Sequence, residues 1–370
     1  MRLKLFHNAV LFIIALSMLC SPSGGAQEQP DEVTDTTRHA RVGLLPLPIF
    51  FYTPETGVAG GGAILMLHRP EATDSAMRPS TYVLDLIYTQ KKQIIAEVST
   101  DMYLSRGAYR AVGFVHFSRY PQKFFGIGSE TPDSFEEPYT SRTFRLSMDA
   151  LGKITGSISA GPSLFYEDRS LSELTPDGML QSGTITGSQG GTTLGIGGVI
   201  QWDTRDNIFM PSTGRYYAAS LRTSIPGSDF TFSNFTLDVR HYLGMTEMST
   251  LAVQALAVLT SGTPPFYMLA QLGGPNIMRG YFEGRYRDKT LLVMQTEYRF
   301  PIVWRFRGAA FAGVGDVAPG LSRFTLRTIK PSYGLGLRYV FDTVEKMTIR
   351  IDFGFGKGTN GMYITANEAI

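Results

Sequence analysis

Cysteine, surplus charge and long apolar runs are what this chain of 370 residues has little of. Its one cysteine, Cys20, rules out an internal disulfide framework. A formal net charge of +2 is too balanced for a nucleic-acid partner, which calls for a basic face. The one marked apolar run opens the chain, and nothing after residue 26 is long enough to cross a bilayer as a helix. Metal and hydrolase signatures are missing too. His39, His68, His116 and His241 are scattered, with no HxxxH pattern. There is no G-x-S-x-G, and neither "TGVAGGGA" nor "GFGKGT" has Walker spacing. No cofactor, metal or enzymatic activity is expected.

What is present begins with an export signal. In "MRLKLFHNAVLFIIALSMLC", Arg2 and Lys4 precede a short apolar core, and Gly24 and Ala26 put small residues at −3 and −1 of a cleavage site. That pattern predicts a secretory signal peptide over residues 1–26. Cys20 stays within it, because Leu19 stands where a lipoprotein signal wants a small residue. Cleavage removes two of the 34 basic residues and leaves 32 against 32 acidic, a net charge of zero. Residues 27–41, "QEQPDEVTDTTRHAR", are polar and read as a disordered periplasmic leader.

From residue 42 to residue 370 the chain alternates. In "MTIRIDFGFG", Ile349, Ile351, Phe353 and Phe355 oppose Thr348, Arg350 and Asp352. In "TLLVMQTEYRF", Leu292, Met294, Tyr298 and Phe300 oppose Gln295, Glu297 and Arg299. "TFRLSMDAL" and "FTLDVRHYL" behave likewise. Period two means strands with one apolar and one polar face. A secreted sandwich would also alternate, but these segments approach the ~9–11 residues of a membrane-crossing strand. Charges recur on the polar face, as on a wet lumen wall, and aromatics such as Tyr82, Tyr88, Tyr216 and Tyr217 mark strand ends. In lipid a sheet must close on itself, so the prediction is an all-β, antiparallel transmembrane barrel in the outer membrane of a Gram-negative-type bacterium.

Sixteen strands can be marked out, from 42–52 to 361–369, an even number as bacterial barrels have. Parity places the long connections 119–138, 167–190, 261–289 and 316–331 outside, while 151–153, 243–247 and 343–346 are short periplasmic turns. The first strand contains Pro46 and Pro48, which cannot donate ladder hydrogen bonds. It should therefore pair weakly on one side, the side facing the last strand.

The segment after the eleventh strand, "GGPNIMRGY", resembles the loop signature of the BamA/TamA-type outer-membrane assembly family, the bacterial surface antigens. "WDTRDNIFMPSTGRYY", with Asp203, Arg205, Asp206, Asn207, Pro211 and Gly214, is similar to that family's acidic turn. "QTEYRFPI" and "RIDFGFGKGTNGMY" are similar as well, so the resemblance covers most of residues 42–370. It implies a loop folded back into the lumen, carrying Gly273, Gly274, Arg279, Gly280 and Tyr281, with the arginine bonded to an acid of the wall. Glu297 is the acid the resemblance points to. Where relatives offer a second acid this chain has Gly313, which leaves Asp352 and Asp316 as substitutes.

Two departures bear on function. Relatives that act as insertases carry periplasmic POTRA domains, and residues 27–41 leave no room for one, so a POTRA-less member is expected. The chain also finishes on Ile370 rather than an aromatic. One reading is a barrel that helps outer-membrane proteins or lipids insert through a weak seam between first and last strands. Its partners would be the bilayer, lipopolysaccharide, unfolded barrel clients or other assembly components. The alternative is a plugged channel or structural barrel without insertase activity.

Overall fold

The computed structural model describes residues 42–68, 80–343 and 345–370. The expected signal peptide and leader lie outside these residues. Eighteen strands follow one another among the described residues: β1 (Val42–Thr53), β2 (Gly57–His68), β3 (Ser80–Thr89), β4 (Ile94–Leu104), β5 (Tyr109–Phe124) and β6 (Glu137–Thr155). Next come β7 (Ile158–Ser172), β8 (Gly191–Asp203), β9 (Gly214–Ser224), β10 (Phe232–Thr246) and β11 (Ser249–Gly262). Two three-residue strands, β12 (Ala270–Leu272) and β13 (Tyr286–Asp288), precede β14 (Thr290–Val303), β15 (Phe306–Ala318), β16 (Lys330–Asp342), β17 (Met347–Gly356) and β18 (Thr359–Ala366).

Sixteen of these close into an antiparallel barrel in which each strand pairs with its neighbours in the chain, β11 meets β14, and β18 meets β1. β12 and β13 form a separate ribbon. Alternation decides which face each residue takes. On β17, Ile349, Phe353 and Phe355 are exposed while Arg350 and Asp352 are buried. On β14, Met294 and Tyr298 face out while Gln295, Glu297 and Arg299 are enclosed. Apolar outside and polar inside inverts the arrangement of a soluble protein and suits a wall with lipid on one face. Trp304, three-quarters exposed, clusters with Phe306 and Tyr339 by one short turn, and Tyr333 stacks on Phe355 toward the other end. No helix among the described residues is long and apolar enough to cross a membrane.

Several boundaries differ from the sequence reading. β5, β6 and β7 run on to Phe124, back from Glu137 and out to Ser172, which shortens their connections to 125–136 and 173–190. The extensions are held because Phe124 and Tyr139 pack with Phe266, Tyr267 and Leu269 of the segment after β11. β18 stops at Ala366 instead of reaching residue 369. Asn367 turns with φ +58°, a conformation asparagine tolerates, and Ala369 and Ile370 are buried against Tyr242 and Ala252.

β1 pairs with β2 along its whole length, including Pro46↔Ile64 and Pro48↔Gly62. Toward β18 the pairing of described residues is the single Tyr52↔Ile364 contact. Pro46 and Pro48 are two residues apart, so both absent donors lie on the same edge of the strand.

Candidate functional site

The 263–289 segment between β11 and β14 is drawn together by the β12–β13 ribbon, which leaves residues 273–285 as its tip. Gly273 and Gly280 take φ of +112° and +108°, where side chains are strained. The second is also a close approach. A Cβ on Gly280 would sit 2.7 Å from the backbone of Phe355, and one on Gly354 would sit 2.6 Å from Arg279. Two glycines facing each other thus let the tip lie against β17.

That approach positions Arg279. Its Nη1 donates to Asp352 Oδ2 at 2.6 Å and its Nη2 to Glu297 Oε2 at 2.7 Å. The guanidinium lies 3.5 Å above the Phe311 ring, and the side chain is 1% exposed. Around it, Arg338 donates to Asp352, to Glu297 at 3.1 Å and to Glu368 at 3.1 Å. Arg299 holds the other Glu297 oxygen at 2.9 Å, and Arg350 holds Asp352 at 2.9 Å. Four guanidiniums therefore share three carboxylates in a dry cluster. Desolvating such charges is costly, and the forked pairing and extra hydrogen bonds offset it. Gly336 leaves the room, since a Cβ there would meet both Arg338 and Asp352 at 2.0 Å.

Neighbouring tip residues add neutral bonds. Tyr281 is buried, donates its hydroxyl to Pro331 O at 2.9 Å and accepts from the Lys357 N–H at 2.8 Å. The Gly280 N–H donates to the Tyr363 hydroxyl, which donates in turn to Tyr281 O. Gly274, at φ +101°, donates its N–H to Tyr281 O. Arg285 reaches Thr131 and Asp133 of the 125–136 connection, and Arg287 O accepts from the Gly128 N–H at 2.8 Å. Beside the segment remains a cavity of about 250 Å³, with Glu55, Arg145, Arg169, Glu283 and Arg287 among its lining residues.

The acidic turn over 203–214 is tied internally. Arg205 bonds both oxygens of Asp203, and its guanidinium lies 4.6 Å from the Tyr216 ring. Asp206 caps the N–H groups of Ser212 and Thr213, while Asn207 accepts from Phe209 and Met210 and donates to Glu345 O. Burial opposes ionisation of Asp206, yet the Ser212 and Thr213 hydrogen bonds and the Lys346 charge hold its carboxyl below the usual value. Gly214, at φ +97°, brings its backbone against Thr204. Pro211 O accepts from Arg299 Nη1 at 3.1 Å, so the turn reaches the same arginine that braces Glu297.

Glu297 and Asp352 thus both lie within hydrogen-bond distance of Arg279. Asp316 does not: it bonds Lys330 and Ser129, each at 2.6 Å. Pro46 and Pro48 lie on β1, apart from the cluster. Sequence reasoning missed Arg338, Glu368 and Phe311 as members. Arg299 and Arg350 were visible on polar faces without an assigned role. Among the described residues no group of three or more His, Cys, Asp or Glu is placed to hold a metal.

Comparison with known proteins gives the same architecture. The family model described as the Omp85 superfamily domain matches residues 136–359. BamA from Haemophilus ducreyi lacking POTRA domains 1–3 is similar in structure at 14% identity and a TM-score of 0.60, over 88% of this chain and 70% of that one. CdiB from Acinetobacter baumannii is similar at 12% identity and 0.60, over 89% of this chain. CdiB from Escherichia coli is similar at 9% and 0.54, over 88%. This chain spans 60% and 63% of those two CdiB chains. Among curated protein sequences, none matches it.

Proposed function

The chain belongs to the Omp85 superfamily, and on that basis we propose that it helps outer-membrane proteins or lipids insert and assemble through the seam between β1 and β18. The observation that carries this reading is the seam itself: one paired position, Tyr52↔Ile364, against twelve between β1 and β2. Strand edges without partners are templates for further pairing. The closed barrel is joined at this junction by one paired position, and in this reading β1, short of two ladder donors at Pro46 and Pro48, is the strand whose edge is freed for a client. In this reading the 263–289 segment, locked by Arg279, braces the wall from β14 to β18 while β1 stays loosely joined.

A test is to place the purified protein in liposomes, add an unfolded outer-membrane barrel and follow its folding by heat-modifiable gel mobility. Acceleration over empty liposomes, lost with Arg279→Ala, is the expected result. No acceleration would remove the insertase reading.

The second reading, a plugged channel or structural barrel, is favoured by the density of bonds on the 263–289 segment. It predicts that Arg279→Ala raises conductance in planar bilayers and leaves the client's folding rate unchanged.

A further inference from the structure

The last residues leave the sheet. At the end of the barrel carrying the 204–213 and 343–346 turns, the Asn367 N–H donates to Thr348 O at 2.8 Å and the chain heads inward. The Glu368 N–H then meets Phe209 O at 3.4 Å. Its carboxylate lies 3.1 Å from Arg338 Nε and 3.5 Å from Arg299 Nε, with its side chain 2% exposed. Arg299 Nη2 donates to the main-chain oxygen of Ile370 at 2.7 Å. Ala369 and Ile370 are buried with Tyr242 and Ala252, which belong to β10 and β11. Around the ring those strands stand six and five places from β18, so four residues cross the mouth to a distant part of the wall.

Three features make this a seat rather than a frayed strand end. A buried acid is met by two guanidiniums, which frayed ends lack. Two small or aliphatic side chains fill an apolar patch at the far wall. After the turn at Asn367 the backbone stays bonded to the barrel, at Glu368 and at Ile370. Glu368 also completes the arginine cluster: Arg338 holds it through Nε while its Nη2 holds Glu297, and the Arg299 Nε that faces it donates to Glu297.

We propose that this inner wall, built from Tyr242, Ala252, Arg299 and Arg338, is a seat for an extended peptide carrying a carboxylate followed by two small or aliphatic residues. Residues 367–370 of the chain itself are its occupant and close the mouth when seated. Because the same arginines brace Glu297, leaving the seat loosens the wall acid that holds Arg279.

The test uses Ala252→Cys, in a mature chain otherwise free of cysteine if residues 1–26 are removed, and a charged methanethiosulfonate reagent applied to the protein in liposomes. With the tail in place the thiol should be protected. Glu368→Gln, which keeps the side chain's size, should speed labelling roughly ten- to a hundredfold, the range set by loss of one charge-assisted hydrogen bond. Deleting 367–370 should abolish protection, and a synthetic peptide of sequence TANEAI should restore it where TANQAI does not. Heat-modifiable mobility identifies folded protein in each arm. Equal labelling of the parent and Glu368→Gln proteins would overturn the proposal, as would failure of TANEAI to protect the truncated barrel.

Discussion

Arg279 makes its contacts where water cannot replace them, so its loss leaves Glu297 and Asp352 with one fewer cation each. Breaking a buried ion pair by removing one partner costs about 3–5 kcal/mol. Arg279→Ala should therefore lower the temperature at which the barrel loses its heat-resistant gel mobility. Arg279→Lys should recover only part of the difference, because an ammonium cannot bridge two carboxylates as a planar fork does. Full recovery by lysine would mean that charge alone matters at this position. At this scale Glu297 was readable from the sequence because β14 alternates cleanly. Arg338 shares the inward face of β16 with Lys330, Ser332, Gly334 and Gly336, opposite Leu335 and Leu337, so its direction was readable, but its partners Glu297, Asp352 and Glu368 lie on other elements that no spacing in the sequence brings to it. Asp316 misled for a related reason, since an inward acid can be claimed by Lys330 before a loop arginine reaches it.

Among the elements, the strands were legible almost throughout. Period two survives wherever one face meets lipid and the other the lumen. It failed at the outer parts of β5, β6 and β7, where the inner face packs apolar side chains against the 263–289 segment instead of facing a polar lumen, and at β12 and β13, too short to show a period. The end of β18 was misplaced because Ala369 and Ile370 find their apolar partners inside rather than on the outer face. The 203–214 turn carries a pH expectation. A carboxyl whose folded pKa is depressed contributes stability that is present above its unfolded value, ~3.9, and is lost as pH falls through the lower folded value. For Asp206 that window lies in acid, below about pH 4. Wild-type protein should lose amide protection of Ser212 and Thr213 as pH falls through it. Asp206→Asn should show weaker protection at neutral pH and little change on acidification.

For the whole molecule, the arrangement is asymmetric. From β14 to β18 the wall is cross-braced by Arg279, Tyr281, Arg299, Arg338 and the 367–370 segment, whereas β1 is joined to β18 at one position. A barrel of this kind should open, when it opens, between β1 and β18. In the sequence, Pro46 and Pro48 mark missing ladder donors on β1, but no pattern supplies the register of β1 against β18.

The measurement that tests this most directly uses cysteines at Tyr52→Cys and Ile364→Cys, which face each other across the seam. With the pair oxidised to a disulfide, the protein in liposomes should no longer accelerate folding of an added unfolded barrel, and reduction should restore the acceleration. Equal client folding rates with the seam locked and unlocked would contradict the account.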